Sequence, residues 1–405
     1  MSIPVLRGKR IVLGVTGSIA AYKAVGLASM LHQAGAIVDV AMTPDALRFV
    51  QPLSFQAITH RPVFADLWAP GMEADIAHVT LGREGDLLLI APATAHTLAK
   101  LAHGLADDPV SVTALAARGP VVVAPAMDAG MYAHPATTAN SRLLRERGVV
   151  LVEPEEGHLA SDLVGVGRLA APETILDVVR AALGAGGDLA GRRVVVTAGG
   201  TREPIDPVRF ISNRSSGRMG YAVAEAARDR GARVVLITAP AALRPPGGME
   251  VVRVERAEEM LEAVRAAYRG ADALIMVAAV GDFRVEPPAA QKVKRGEGAL
   301  MLRLVPNRDI LRETAAIPTE RRPVRVGFAA ETRGLLGHAT DKLARKCLDL
   351  IVANDVSAAG SGFAVDTNQV TLLWADGRRE ALPLLPKAAV AECLLDAVVE
   401  LLRGR

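Results

Sequence analysis

The chain has 405 residues, 50% of them apolar and only 3% aromatic, with 47 Lys and Arg against 44 Asp and Glu. That length implies two hydrophobic cores rather than one, and a composition rich in Ala, Val and Leu suits helix-covered parallel sheets rather than a β-sandwich. A formal charge of +3 supplies no basic stripe for nucleic acid but is compatible with anionic small molecules.

The two cysteines, Cys347 and Cys393, make neither a metal spacing nor a disulfide framework, which fits a reducing cytoplasm. Arg7, Lys9 and Arg10 precede an apolar run as in a signal peptide, but Thr16-Gly17-Ser18 interrupts it and Lys23 follows. Strand, turn and helix is the better reading. No stretch is apolar for long enough to span a membrane.

In the first half, strands are expected at 10–15, 36–42, 86–90, 120–124 and 149–152, with the longest helical region over 91–117. In an open parallel sheet, ligands bind beyond the carboxyl ends of the strands. Those ends carry Gly17-Ser18, Thr43-Pro44, Ala91 to Thr97 and Pro125 to Asp128. They predict a pocket rich in hydroxyls and short of Lys and Arg, holding phosphate through backbone and hydroxyl donors. His78 sits just before the third strand; an isolated histidine there is more often structural than catalytic.

GSIAAYKA, APATAHTLAKLAHGLADD and APAMDAGMYAHPAT resemble the FMN-dependent cysteine decarboxylase family, and the likeness covers residues 11–173. It implies FMN on Gly17, Ser18, Thr43, Thr94, Ala95, His96, Thr97 and Ala126, with His96 where the family usually has Asn. It also makes His78 the base or electrostatic partner. In that family the flavin oxidises the terminal cysteine thiol of the substrate to a thioaldehyde, which eases loss of CO2. Two further positions depart. Asp128 replaces the Asn of PxMN, and Ser161 replaces the Cys of the flap motif ACGDxGxGRM. A serine hydroxyl is no comparable acid. Asp128, buried beside the substrate carboxylate, is expected to have a raised pKa and to imitate the amide as a protonated donor, so that activity falls as pH rises.

Residues 183–191, LGAGGDLAG, are Gly-rich and non-periodic. They read as a linker between units 1–182 and 192–405. The halves open alike, GKRIVL into VTGS and GRRVVV into TAGGT, so two Rossmann-like, doubly wound α/β domains are expected. Further strands are expected at 233–238, 251–254, 273–277, 324–328 and 350–353, then a turn-rich cover over 357–367 and a packing helix over 388–403. The small-residue loop before Met219 is a recipe for holding phosphate. It is neither GxGxxG nor a P-loop. Lys292, Lys294 and Arg295 read alone as a solvated loop, and Lys342 and Lys346 as one face of an exposed helix.

TAGGTREPIDPVRFISN and SSGRMG resemble the ligase half of the bifunctional coenzyme A biosynthesis family, phosphopantothenoylcysteine decarboxylase/phosphopantothenate–cysteine ligase. AAVGDFRVEPPAAQKVKR and GFAAET extend the likeness, while Arg308 replaces the Pro of NPDI. The resemblance implies CTP at Ala278, Asp282, Lys292, Arg308, Asp309, Ile310, Leu311, Phe328, Lys342 and Lys346, with Mg2+ bridging the phosphates and no metal site of the protein's own. Asn213 would orient an acyl-cytidylate formed from 4′-phosphopantothenate and attacked by L-cysteine. FMN sites between subunits would make the protein a homo-oligomer, cytoplasmic, with neither membrane nor nucleic acid as partner. Two other readings are weighed. One is a ligase carrying a flavin-binding but catalytically silent N-terminal module, favoured by Asp128 and Ser161. The other is a nucleotide-sugar or NAD oxidoreductase, disfavoured because neither opening has GxGxxG with an acid at the end of the second strand.

Overall fold

The structure, a computed structural model, describes residues 3–68, 77–241, 243–295, 299–331, 335–355 and 365–405. The chain divides into two compact units, Met1–Gly184 and Ala185–Arg405.

In the first unit, β1 (Arg10–Val15), β2 (Ile37–Met42), β3 (Val63–Phe64), β4 (Leu87–Ala93), β5 (Val121–Pro125) and β6 (Val150–Leu151) form one sheet in the order β3-β2-β1-β4-β5-β6. Every pairing is parallel. The near-continuous apolar runs follow from burial on both faces. Ile11, Leu13 and Val15 pack with Leu27 and Leu31 of the helix Ala21–Gln33, and with Ile175 and Val179 of the helix Pro172–Gly184. Val12, Leu88 and Ile90 face the other way, onto Leu98, Val110 and Leu144.

The expected strands are present, but the long helix over 91–117 is corrected. β4 runs on to Ala93, and two helices follow, Ala95–His103 and Pro109–Ala116. Gly104 ends the first in the left-handed region, and the Asp108 carboxylate caps the second by accepting from Val110 and Ser111 N–H, both at 2.9 Å. An antiparallel hairpin, β7 (Glu155–His158) and β8 (Val164–Arg168), was not expected.

The second unit repeats the strand order and extends it. Its strands are β9 (Arg193–Ala198), β10 (Arg202–Pro204), β11 (Phe210–Ser212), β12 (Arg233–Thr238), β13 (Glu250–Arg253), β14 (Ala273–Met276), β15 (Phe283–Val285), β16 (Leu304–Pro306), β17 (Val324–Glu331), β18 (Leu350–Asp355), β19 (Thr367–Asn368), β20 (Val370–Trp374), β21 (Arg379–Ala381) and β22 (Leu385–Pro386). The main sheet runs β13-β12-β9-β14-β17-β18-β20-β21, parallel up to β18 and antiparallel beyond. Val194 and Val196 face one core, and Val195 faces the other.

The expected linker is also corrected. Residues 183–184 finish the helix Pro172–Gly184, and the rest packs on the second unit. Leu189 is fully buried in that unit's core, and its N–H donates to Arg230 O at 3.0 Å. Arg230 Nε also donates to the Asp188 carboxylate at 2.9 Å. One leucine in a Gly-rich run was enough to anchor it. Most of the expected cover over 357–367 lies outside the described residues.

The helix Arg218–Asp229 crosses β9 with no room to spare. A Cβ on Gly220 would lie 2.6 Å from Ala198 Cβ and 2.9 Å from Thr197 O. Gly220→Val must therefore separate helix from sheet, and overpacking of this kind costs about 1–3 kcal/mol. The expected result is a lower urea midpoint for the second unit at an unchanged m-value; a midpoint equal to the parent's would contradict this contact.

Candidate active sites

In the first unit the strand order reverses between β1 and β4, where a crevice opens above the sheet. Thr16, 1% exposed at the end of β1, braces it. Its hydroxyl donates to Pro92 O at 2.8 Å and accepts from Thr94 N–H at 3.1 Å. Gly17 follows, so close to the next loop that a Cβ would lie 2.4 Å from Asp45 Cβ. Only the missing side chain lets this turn pack there. The helix Ala21–Gln33 begins just beyond and presents its N-terminus.

A cavity of about 710 Å³ opens beside this turn. Ser18, Ala126 and Asp128 line it together with Lys23, Ser161 and Arg168. The expectation of a pocket short of Lys and Arg is thus corrected: Lys23 comes from the first helix and Arg168 from the end of β8. Burial, and then the charge of Arg168, push the Lys23 ammonium below its ordinary pKa. The lysine was visible in the sequence within GSIAAYKA; the arginine was not placeable without the hairpin.

Thr43, Thr94, Ala95, His96 and Thr97 stand on the same sheet edge but outside this lining. The Thr43 hydroxyl accepts from Ala46 N–H at 3.3 Å, and Thr94 caps the helix Ala95–His103 by accepting from Thr97 N–H at 3.2 Å. His78 is half-buried on the helix Ala77–Glu84, again outside the lining.

Asp128 differs from expectation in its electrostatics. It is a half-buried N-cap of the helix Ala129–Ala133, accepting from Gly130 N–H at 2.9 Å. Ser161 Oγ donates to its other oxygen at 2.6 Å. The Ser161 hydroxyl and then the Gly130 amide hold the carboxyl below its ordinary pKa. Both partners donate to the carboxylate, which favours its ionised form, opposite in direction to the raised pKa expected.

The second unit repeats the arrangement between β9 and β14. Thr197, fully buried near the end of β9, has a hydroxyl that accepts from Val277 and Ala278 N–H, each at 3.1 Å. Thr201 Oγ1 accepts from Gly281 N–H at 2.8 Å. A cavity of about 530 Å³ lies above. It brings together Asn213, Ala278, Asp282, Phe328 and Lys342 from separate segments, as the sequence implied. Asn213 Nδ2 donates to Val280 O at 3.0 Å. Arg214, Arg218, Asn354, Asn368 and Lys387 join the wall without having been singled out for it. The helix Lys387–Arg403 packs as expected, but its first residue reaches the cavity.

The other expected nucleotide residues are not brought in. Lys292 is exposed outside the lining. Arg308 pairs with Glu313 at 2.9 Å, and Ile310 and Leu311 are buried in the core. Lys346 pairs with Asp309 at 2.8 Å, so it does not share the direction of Lys342. Burial works against the Asp309 carboxylate, yet Lys346 holds its pKa below the ordinary value. Among the described residues no cluster of three or more His, Cys, Asp or Glu could hold a metal, and no helix is long and apolar enough to cross a membrane.

Residues 5–184 match the family model described as Flavoprotein, and residues 189–402 match that of the DNA/pantothenate metabolism flavoprotein C-terminal domain. The chain is 45% identical over 399 residues to the coenzyme A biosynthesis bifunctional protein CoaBC of Bacillus subtilis (strain 168), covering 98% of both. It is 44% identical over 397 residues to the protein of that name from Escherichia coli (strain K12), covering 97% of both. The one from Mycobacterium tuberculosis (strain ATCC 25618 / H37Rv) is 45% identical over 412 residues, with 98% of this chain and 97% of the relative covered.

The Asp128 geometry is open to a direct check. Its carboxyl, followed by carbon NMR, should titrate below the ordinary aspartate value of about 3.9, and Ser161→Ala should move the midpoint upward by removing a donor. The ionised form is the one the fold favours, so its contribution is lost only as pH falls through that depressed midpoint. A midpoint above the ordinary value would restore the protonated donor.

Proposed function

The chain belongs to the family of bifunctional coenzyme A biosynthesis proteins, with a decarboxylase half and a ligase half, and on that premise we propose how its two cavities divide the work. The cavity above β9 and β14 joins 4′-phosphopantothenate to L-cysteine with CTP. The cavity beside β1 and β4 decarboxylates the product with FMN.

The observation that carries the ligase assignment is the convergence of Asn213, Ala278, Asp282, Phe328 and Lys342 on one crevice. The pantothenate carboxylate attacks the α-phosphorus and pyrophosphate leaves. The cysteine amine then attacks the acyl carbon, a C–N bond forms, and CMP departs with the C–O electron pair while the amine proton passes to solvent. Both steps gather negative charge on phosphate oxygens, which cations in a recessed site stabilise. Lys342 and Arg214 supply that charge. Asp282 is the carboxylate in the lining, so Mg2+ enters as its complex with CTP rather than in a protein cage. The Lys346–Asp309 pair acts at one remove, tying the 308–311 turn to the segment that follows the Lys342 helix.

The close turn at Gly17 and the helix start beyond it fit a flavin phosphate, and FMN bound there would take two electrons from the substrate thiol and return them to the enethiol left after CO2 is lost. An ionised Asp128 would repel the carboxylate that is to leave. We therefore assign the anionic ends of the substrate to Lys23 and Arg168, and assign Asp128 to holding Ser161 and the hairpin tip over the cavity. His78 lies outside this lining, which supports a homo-oligomer in which a second copy brings the histidine to the flavin. A catalytically silent flavin module is not favoured, since the relatives matched over almost the whole chain are named as bifunctional.

Removing Lys342 tests the division of labour. A hydrogen bond to a charged group contributes about 1.5–3 kcal/mol, so Lys342→Ala should raise the KM for CTP by roughly 10–100-fold. CO2 release from phosphopantothenoylcysteine should continue at the parental rate. An unchanged KM for CTP would remove Lys342 from the nucleotide site. Because Asp128 stays ionised, CO2 release should also show no decline between about pH 6 and pH 8 that Asp128→Asn abolishes.

A further inference from the structure

Four buried side-chain atoms have no hydrogen-bond partner among the described residues: Ser141 Oγ, Arg325 Nε, Asn368 Oδ1 and Trp374 Nε1. Of these residues only Asn368 lines either large cavity. It is 3% exposed, and its Nδ2 donates to Met219 Sδ at 3.6 Å. That contact sets the amide orientation, because a flipped amide would lose the N–H···S bond and place oxygen against sulfur. A buried acceptor with nothing to accept is costly, and in the wall of a substrate cavity it calls for a donor from the substrate.

The neighbours of Asn368 are positively charged. β19 pairs with β22, Asn368 opposite Leu385 and Thr367 opposite Pro386, so the next residue, Lys387, is held close by. Lys387 is 7% exposed; its Nζ donates to Thr367 O at 3.2 Å and to Val365 O, and its N–H to Asp366 O at 2.9 Å. Burial lowers its pKa. Arg218, adjoining Met219, pairs with the Asp366 carboxylate. Asn368, Lys387 and Arg218 all line the cavity.

We propose that this corner is the subsite for the amino-acid nucleophile, with Asn368 Oδ1 accepting from the L-cysteine amine and Lys387 and Arg218 facing its carboxylate. The assignment rests on the ligase reading. A phosphate presents only acceptors and would leave Asn368 Oδ1 unpaired and repelled. An α-amino acid carries an N–H donor one carbon from a carboxylate, which matches an acceptor beside a cation. The choice of an amide also suits the chemistry. A carboxylate here would hold the amine as ammonium, whereas an uncharged oxygen beside positive charge favours the neutral amine. It takes one N–H and leaves the nitrogen lone pair free to attack.

Hydroxyls of pantothenate or ribose are donors too, so the test separates the substrates. In the full chain, KM values for L-cysteine, CTP and 4′-phosphopantothenate are measured for Asn368→Ala, and cysteamine, which lacks the carboxylate, serves as a second nucleophile. The KM for L-cysteine should rise at least about tenfold more than either other KM. Asn368→Asp, which keeps the acceptor, should recover much of that KM but lower kcat by stabilising the ammonium form. Lys387→Met should cut the preference for L-cysteine over cysteamine by at least about tenfold. A larger effect on CTP or phosphopantothenate, a loss of kcat with all three KM values unchanged, or an intact preference in Lys387→Met would overturn the assignment. A parent enzyme that releases no pyrophosphate from CTP and phosphopantothenate would refute the ligase reading instead.

Discussion

Two buried threonine hydroxyls brace the crevice at the switch point of each unit's sheet. Thr16 directly follows β1 and Thr197 is the last residue but one of β9, each at the point where the strand order reverses. Each hydroxyl reaches across to the main chain that leaves the neighbouring central strand, at 2.8 and 3.1 Å for Thr16 and 3.1 Å twice for Thr197. Chains leaving adjacent parallel strands in opposite directions strand their polar groups near the crevice floor. A hydroxyl can donate and accept there without filling the space that a ligand needs. Val in place of either Thr would keep the shape and leave buried amides unpaired. Everything on the two cavity walls, from Ser18 and Ala126 to Ala278 and Asp282, is placed relative to those two braces.

The cavities differ in how they meet negative charge. The ligase wall carries Arg214, Arg218, Lys342 and Lys387 against Asp282, as suits reactants with phosphates and carboxylates together. The flavoprotein wall sets Lys23 and Arg168 against Asp128. Two of its departures from the family pattern meet each other: Ser161 donates to Asp128 at 2.6 Å. A change that looked damaging at each position alone becomes a hydrogen-bonded pair linking the hairpin tip to the helix Ala129–Ala133.

The sheets were legible because parallel strands buried on both faces are apolar without interruption, and because small residues mark the ends of β1 and β9. Asn213, Ala278, Asp282, Phe328 and Lys342, which the family resemblance singled out, line one cavity of the second unit. What escaped has local causes. The hairpin β7–β8 is short and Gly-rich, and its alternating valines, Val164 and Val166, are exposed rather than part of a core. The break in 91–117 was signalled by Asp108-Pro109, a cap followed by a first-turn proline, and was overlooked within a long apolar stretch. Spacing put Lys342 and Lys346 on one face, but the helix stops at Arg345 and Cys347 turns left-handed with φ 49°, which sends Lys346 to Asp309 instead. At Asp128 the two donors, Ser161 Oγ and Gly130 N–H, are brought together by the fold and have no mark in the local sequence. Asn368 carried no signal, since its meaning depends on which of its atoms lacks a partner.

The central claim is that one chain makes phosphopantothenoylcysteine in its second unit and decarboxylates it in its first. The most direct measurement supplies the purified, flavin-loaded protein with CTP, Mg2+, 4′-phosphopantothenate and L-cysteine labelled at its carboxyl carbon. The account predicts that the label leaves as CO2, one for each pyrophosphate at completion, and that none leaves when CTP is withheld. Pyrophosphate and ligated product accumulating with the label still in place would contradict it, and would leave the flavoprotein half without the chemistry assigned to it.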